Sequence, residues 1–96
     1  MRIQFLRSAE EELDGAIDFY NAQSEGLGFE FAAEVKRTLL RITAYPKAWS
    51  QLSSRTRRCR TNRFPYGIIY QIKQDYILII AVMHLRRKPQ RWKERQ

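Results

Sequence analysis

Residues 76–83 read YILIIAVM, and both alternating sets of side chains are apolar: Ile77, Ile79 and Ala81 on one face, Leu78, Ile80 and Val82 on the other. An amphipathic strand lies on one layer and shows polar residues to water. A strand apolar on both faces must be covered twice. Eight residues fall far short of the ~20 needed to cross a bilayer. This segment is therefore expected to be a central strand, and the rest of the chain must supply a cover for each face.

The first cover is legible upstream. RIQF near the N-terminus alternates as a short strand. Ser8 then stands as an expected N-cap with Glu11 three residues on, the spacing of a capping box, and three successive glutamates suit the positive end of a helix. Ala9, Leu13, Ala16, Ile17 and Tyr20 fall on one stripe of that helix. Gly26 and Gly28 mark a turn, and Ala32, Val35, Leu39 and Ile42 recur at spacings of three and four in a second helix. Pro46 disfavours helical geometry at Tyr45 and ends it. Two amphipathic helices joined so tightly are expected to form an antiparallel hairpin. The second cover is expected from the C-terminal segment around Trp92 or from a partner protein.

Residues 46–56 read as a loop. Strands are expected at roughly 57–63, 66–73 and 76–84, the last two joined by a turn short enough for antiparallel pairing. The order is β-α-α-β-β-β: the α+β class, a mostly antiparallel sheet with a helical hairpin on one face. At 96 residues the chain is expected to form one domain, 1–96. Cys59 is the only cysteine, so no internal disulfide can form, and no spacing suits a metal cluster or a phosphate-cradling glycine loop. The N-terminus lacks the apolar core and cleavage site of a signal peptide.

Charge divides the chain. Residues 1–54 hold six basic and eight acidic side chains; residues 55–96 hold twelve basic and two acidic. In the second half arginine outnumbers lysine nine to three. Lysine would serve solubility equally well, whereas the planar fork of arginine suits phosphate and carboxylate. The densest stretch is RTRRCRTNR, 55–63. Alternation places Arg58, Arg60 and Asn62 on one face and Arg57, Cys59, Thr61 and Arg63 on the other. Arginines two apart on a strand are ~7 Å apart, near the phosphate spacing of one nucleic-acid strand. Such a strand either grips a polyanion or guards an edge against aggregation. Cys59 reads as a small buried filler rather than a nucleophile.

A second basic group, HLRRKPQRW, follows the central strand. His84, beside Arg86 and Arg87, could act as a general acid or base on a phosphodiester, or could anchor the terminal turn by hydrogen bonding. Trp92 could stack on a base or pack against the sheet.

These segments together resemble the RelE/ParE toxin superfamily, the toxin half of bacterial type II toxin–antitoxin modules, and most of all its ParE-like, plasmid-stabilisation branch. The resemblance is carried by AEEELDGAIDFYNAQSEGLGFEF over the hairpin, the closing proline, RRCRTNRFPYGIIYQI, and ILIIAVMHLRRKPQRW. It implies a cytoplasmic bacterial toxin needing no cofactor or metal, with DNA gyrase the target of the ParE-like branch. It also implies a cognate acidic antitoxin with a DNA-binding N-terminal domain, so that DNA is met only through that partner, and no membrane is involved. The candidates for binding target and antitoxin are Arg57, Arg58, Arg60, Arg63, Arg86, Arg87 and Trp92. The RelE-like branch implies instead a metal-independent, ribosome-dependent mRNA endonuclease, for which Arg58, Arg60, Arg63, His84 and Arg87 are the candidates. Against that branch, Gly67 stands where the cleaving enzymes carry an arginine, just after Tyr66, and Lys93 stands where they carry a catalytic tyrosine. A third reading is a degenerate, non-toxic module that only binds its antitoxin.

Overall fold

The structure is a computed structural model that describes residues 1–87 and 90–95; Lys88 and Pro89 of the terminal basic stretch, and Gln96, lie outside the described residues. The elements are β1 Arg2–Phe5, α1 Arg7–Gln23, α2 Leu27–Ala44, β2 Ser50–Gln51, β3 Arg57–Arg60, β4 Tyr66–Ile72 and β5 Tyr76–His84, followed by a 3-10 segment Gln90–Arg95. They form one five-stranded sheet in the order β1-β5-β4-β3-β2. β1 runs parallel to β5 and the other three pairings are antiparallel. The α+β class and the hairpin are as expected, and the sheet is mixed. No described helix is long and apolar enough to cross a membrane.

Both covers of β5 are present. The helical hairpin packs Ala9, Ala16, Phe31, Val35 and Ile42 against Ile68, Tyr70, Ile77, Ile79 and Val82. On the other face Trp92 is buried among Ile69, Ile80 and Ala81. The hairpin closes tightly at its turn. Gly26 has φ 82°, a left-handed conformation that glycine adopts without strain. A Cβ on Gly28 would lie 2.2 Å from the Ile17 carbonyl oxygen, so only glycine lets α2 start this close to α1. There the Asn21 side chain accepts the Gly28 N–H at 2.7 Å.

Four expectations are corrected. α1 begins at Arg7 rather than after Ser8, and Leu6 occupies the cap with no side-chain hydrogen bond. The cause is β1: Leu6 N–H still bonds Ile79 O along the sheet, so the helix starts at the next residue and Ser8 falls inside its first turn. The loop 46–56 contains a strand, β2, which pairs Ser50 and Gln51 with Arg58 and Arg57. β3 stops at Arg60 instead of residue 63, because Thr61 closes a turn: its N–H donates to Tyr66 O and its hydroxyl to Phe64 O. Finally, β5 carries an extra residue opposite Ile69/Tyr70. This bulge puts Ile80 and Ala81 together on the Trp92 face and returns Val82 to the hairpin face, reversing the expected faces of Ala81 and Val82.

Candidate functional site

Folding sorts the arginines that the sequence left equivalent. Cys59 points into the core under the hairpin, so Arg57 shares that side. Its Nη1 donates to Lys47 O at 3.0 Å and Trp49 O at 2.9 Å, tying the loop before β2 to the sheet. Arg63 lies in the β3–β4 turn, pairs with Glu30 of α2 at 2.6 Å and covers the Phe64 ring. With the two side chains 57% and 52% exposed, this is a surface ion pair of small energetic weight. Trp92 is buried and holds the terminal segment on the sheet. Those three candidates serve the fold.

Arg58, Arg60, Arg86 and Arg87 differ. Among the described residues none of their guanidinium groups has a carboxylate or carbonyl partner. Arg58 is half-buried, and its Nε is shielded from solvent with no acceptor. A buried donor left unmet costs about 1–3 kcal/mol. Arg60 projects into solvent, as do Arg86 and Arg87 beyond the end of β5.

Gly67 gives the Arg58 stem its seat on the sheet. It pairs with Arg60 on one side and Met83 on the other. The aliphatic part of Arg58 and the Leu85 side chain fill the space above it. A Cβ here would come within 2.9 Å of Arg58 Cδ and 3.1 Å of Leu85 Cδ2. A larger side chain at this position therefore fits only if Arg58 shifts.

His84 sits opposite Tyr66, ring against ring at 5.2 Å. Its Nδ1 accepts the Arg86 N–H at 3.1 Å, which fixes the turn after β5. Burial, then the charges of Arg87 and Arg86, push its pKa below the ordinary histidine value. The imidazole is therefore neutral at pH 7 with its proton on Nε2: a hydrogen-bond donor, poorly suited to deliver a proton. Burial likewise pushes the Cys59 thiol up, against a smaller pull from Arg41, so this thiol stays protonated and inert.

A buried carboxylate on α2 supports the turn after β3. Glu34 of α2 is only 3% exposed, and its carboxylate accepts the Asn62 N–H at 2.7 Å and Arg37 Nη2 at 3.0 Å. One helical turn on, Thr38 and Arg41 continue the contact, and Arg41 Nη2 donates to Arg60 O at 2.9 Å. α2 thus clamps the backbone at both ends of the segment 60–62. A glutamate between Phe31 and Val35 on the apolar stripe was the available signal. Burial raises the Glu34 pKa, but the Asn62 amide and Arg37 outweigh it and hold the carboxyl below its usual range. The stabilisation it gives is therefore full above about pH 4.5 and is lost as pH falls through the lower folded value. Glu34→Gln is expected to remove that acid-side loss and to cost about 1–3 kcal/mol at pH 7. Urea unfolding from pH 3 to 7 checks both.

The model of the family described as the ParE toxin of type II toxin–antitoxin systems, parDE, matches residues 3–89. Among solved structures, a chain from "Chromosomal ParDE TA system from P. aeruginosa" superposes with a TM-score of 0.77, covering 88% of this chain and 96% of that one. At 17% identity this is a likeness of fold. No curated protein matches the sequence. With the match running from β1 past the end of β5, and the same architecture in a ParDE toxin–antitoxin structure, the chain belongs to the ParE toxin family of type II toxin–antitoxin systems.

Proposed function

We propose that this chain is a bacterial cytoplasmic toxin that acts by binding rather than cleaving. Arg58, Arg60, Arg86 and Arg87 hold an anionic surface of an essential target, DNA gyrase being the one the family resemblance suggests. A cognate acidic antitoxin, itself the DNA-binding member of the pair, neutralises the toxin by covering the same arginines. The observation that carries this reading is the division of labour among the candidate arginines: Arg57 and Arg63 are used inside the chain, whereas among the described residues Arg58, Arg60, Arg86 and Arg87 have no carboxylate or carbonyl partner. Guanidinium groups without such partners favour an external anion over a structural role. Cleavage of RNA is less well supported, because Gly67 stands where the resemblance implies an arginine in the cleaving branch, and His84 is held neutral with Nδ1 occupied.

Expression of the chain alone in a bacterial host decides the matter. Filamentous growth with an induced DNA-damage response is the expected result. Rapid arrest of translation with fragmented transcripts would establish the endonuclease instead, and normal growth would leave a module that only binds its antitoxin.

A further inference from the structure

Pairing of β3 with β4 ends at Arg57 opposite Tyr70, but β4 runs on to Ile72. Before β3 the chain has turned away to meet β2, with the Leu52 and Ser53 N–H groups donating to Thr56 O. Where the two strands part, a cleft of about 190 Å³ opens, bordered by Ser54, Arg55, Arg57, Gln71 and Lys73.

Gln71 marks this cleft as more than a gap in packing. The residue is 5% exposed, and its Nε2 amide is shielded from solvent with no acceptor among the described residues. A buried donor that nothing meets is costly, and an apolar side chain avoids the cost. Leu78 stands opposite on β5, so an apolar residue would suit the position. The rest of the border is basic. Three cations, Arg55, Arg57 and Lys73, line the cleft, and no carboxylate does. Arg57 uses Nη1 on the Lys47 and Trp49 carbonyls. Neither Arg55 nor Lys73 pairs with a carboxylate among the described residues. Ser54 adds a hydroxyl.

We propose that the cleft binds a phosphate group, with the buried Gln71 amide donating from within and Arg55 and Lys73 supplying charge from the rim. Clefts that hold drug-sized ligands run to about 300–1,000 Å³, so this one suits a single small anion. A carboxylate is met best by the fork of one arginine. Separate donors from Ser54, Arg55, Gln71 and Lys73 suit the larger oxygen set of a tetrahedral phosphate. The site stands apart from the Arg58–Arg60 surface, since Gln71 lies about 14 Å along β4 from Gly67. A bound phosphate ties the β2–β3 turn to the end of β4 and stabilises the fold by mass action.

The test is a titration with inorganic phosphate at constant ionic strength, followed by the side-chain amide signals of Gln71 in ¹H–¹⁵N spectra. A saturable shift with a Kd of about 1 mM is expected. Gln71→Leu should weaken binding about tenfold, and Arg55→Gln with Lys73→Gln at least about thirtyfold, both read from backbone amides around the cleft. Phosphate should raise the melting temperature of the wild type more than that of either variant. The double variant changes only cations at the rim, so the test stands even if Gln71→Leu does not fold. Glycerol 3-phosphate, run in parallel, assigns the source of the group. Equal affinity means that phosphate esters are taken, and binding of inorganic phosphate alone means that the free anion is. A shift that is absent, or that grows without saturation and equally in the double variant, would overturn the site and leave a water-filled cleft with ordinary charge screening.

Discussion

Replacing Arg58 and Arg60 together by glutamine is expected to weaken the antitoxin complex by about a thousandfold and to abolish toxicity, with stability unchanged within about 1 kcal/mol. Truncating one side of a desolvated charge pair costs about 2–5 kcal/mol, and two such losses at the low end come to about 4 kcal/mol, or three decades in Kd. Stability should hold because among the described residues neither guanidinium has a carboxylate or carbonyl partner, and the Arg58 Nε already lacks an acceptor. Glutamine also keeps most of the stem that lies across Gly67. Arg57→Gln is the internal contrast. It breaks two bonds to the Lys47 and Trp49 carbonyls and should lower stability by about 1–3 kcal/mol while leaving affinity nearly intact. Calorimetry and thermal melts on the three proteins separate the roles. An unchanged affinity in the double variant would remove the shared-surface mechanism.

That contrast also shows how far the sequence could be read. YILIIAVM demanded two covers, and the structure supplies the hairpin on one face and Trp92 on the other. The two-faced apolarity that placed the strand also hid its bulge. With isoleucine, alanine and valine on either side, no polar residue marks where alternation slips at Ile80. β2 is two residues long, too short for any periodicity. The Ser8 capping signal was sound local chemistry overridden by sheet pairing through Leu6.

For the site, residue type was legible and assignment was not. Cys59 indicates which neighbours face the core, so the parity of Arg57 and Arg58 could be read. That Arg57 is occupied depends on carbonyls from a loop whose path no local pattern fixes. Arg63 groups with its neighbours only if β3 runs on; the Thr61 turn sends it to Glu30. Glu12 and Arg95 pair across 83 positions, and nothing in either segment announces the other. Long-range pairing of single side chains carries no signature in sequence spacing, whereas burial of whole strand and helix faces does.

Phe31→Ala is expected to be the most destabilising single change, at about 3–5 kcal/mol. Phe31 is fully buried and touches the rings of Tyr20, Phe64 and Tyr66 at centroid distances of 5.2, 5.1 and 4.8 Å. These four rings come from α1, α2, the β3–β4 turn and β4, so the cavity opens where both layers meet. A domain of this size has only about 5–15 kcal/mol in all, and the melting temperature should fall by roughly 15–30 °C. A fall below about 5 °C would mean that the hairpin settles into the gap, and that the aromatic cluster is not what fastens it. Phe31 lies in the buried core whereas Arg60, Arg86 and Arg87 are exposed, so the folded fraction should keep its affinity for the antitoxin. Binding to the native state alone then restores stability by mass action, about 4 kcal/mol at a free concentration a thousandfold above Kd. The melt of Phe31→Ala should therefore climb back towards wild type as antitoxin is added. The double variant at Arg58 and Arg60, stable but weak in binding, should show little such rise. Opposite responses of the two proteins to one ligand would place the core and the cationic face under separate control.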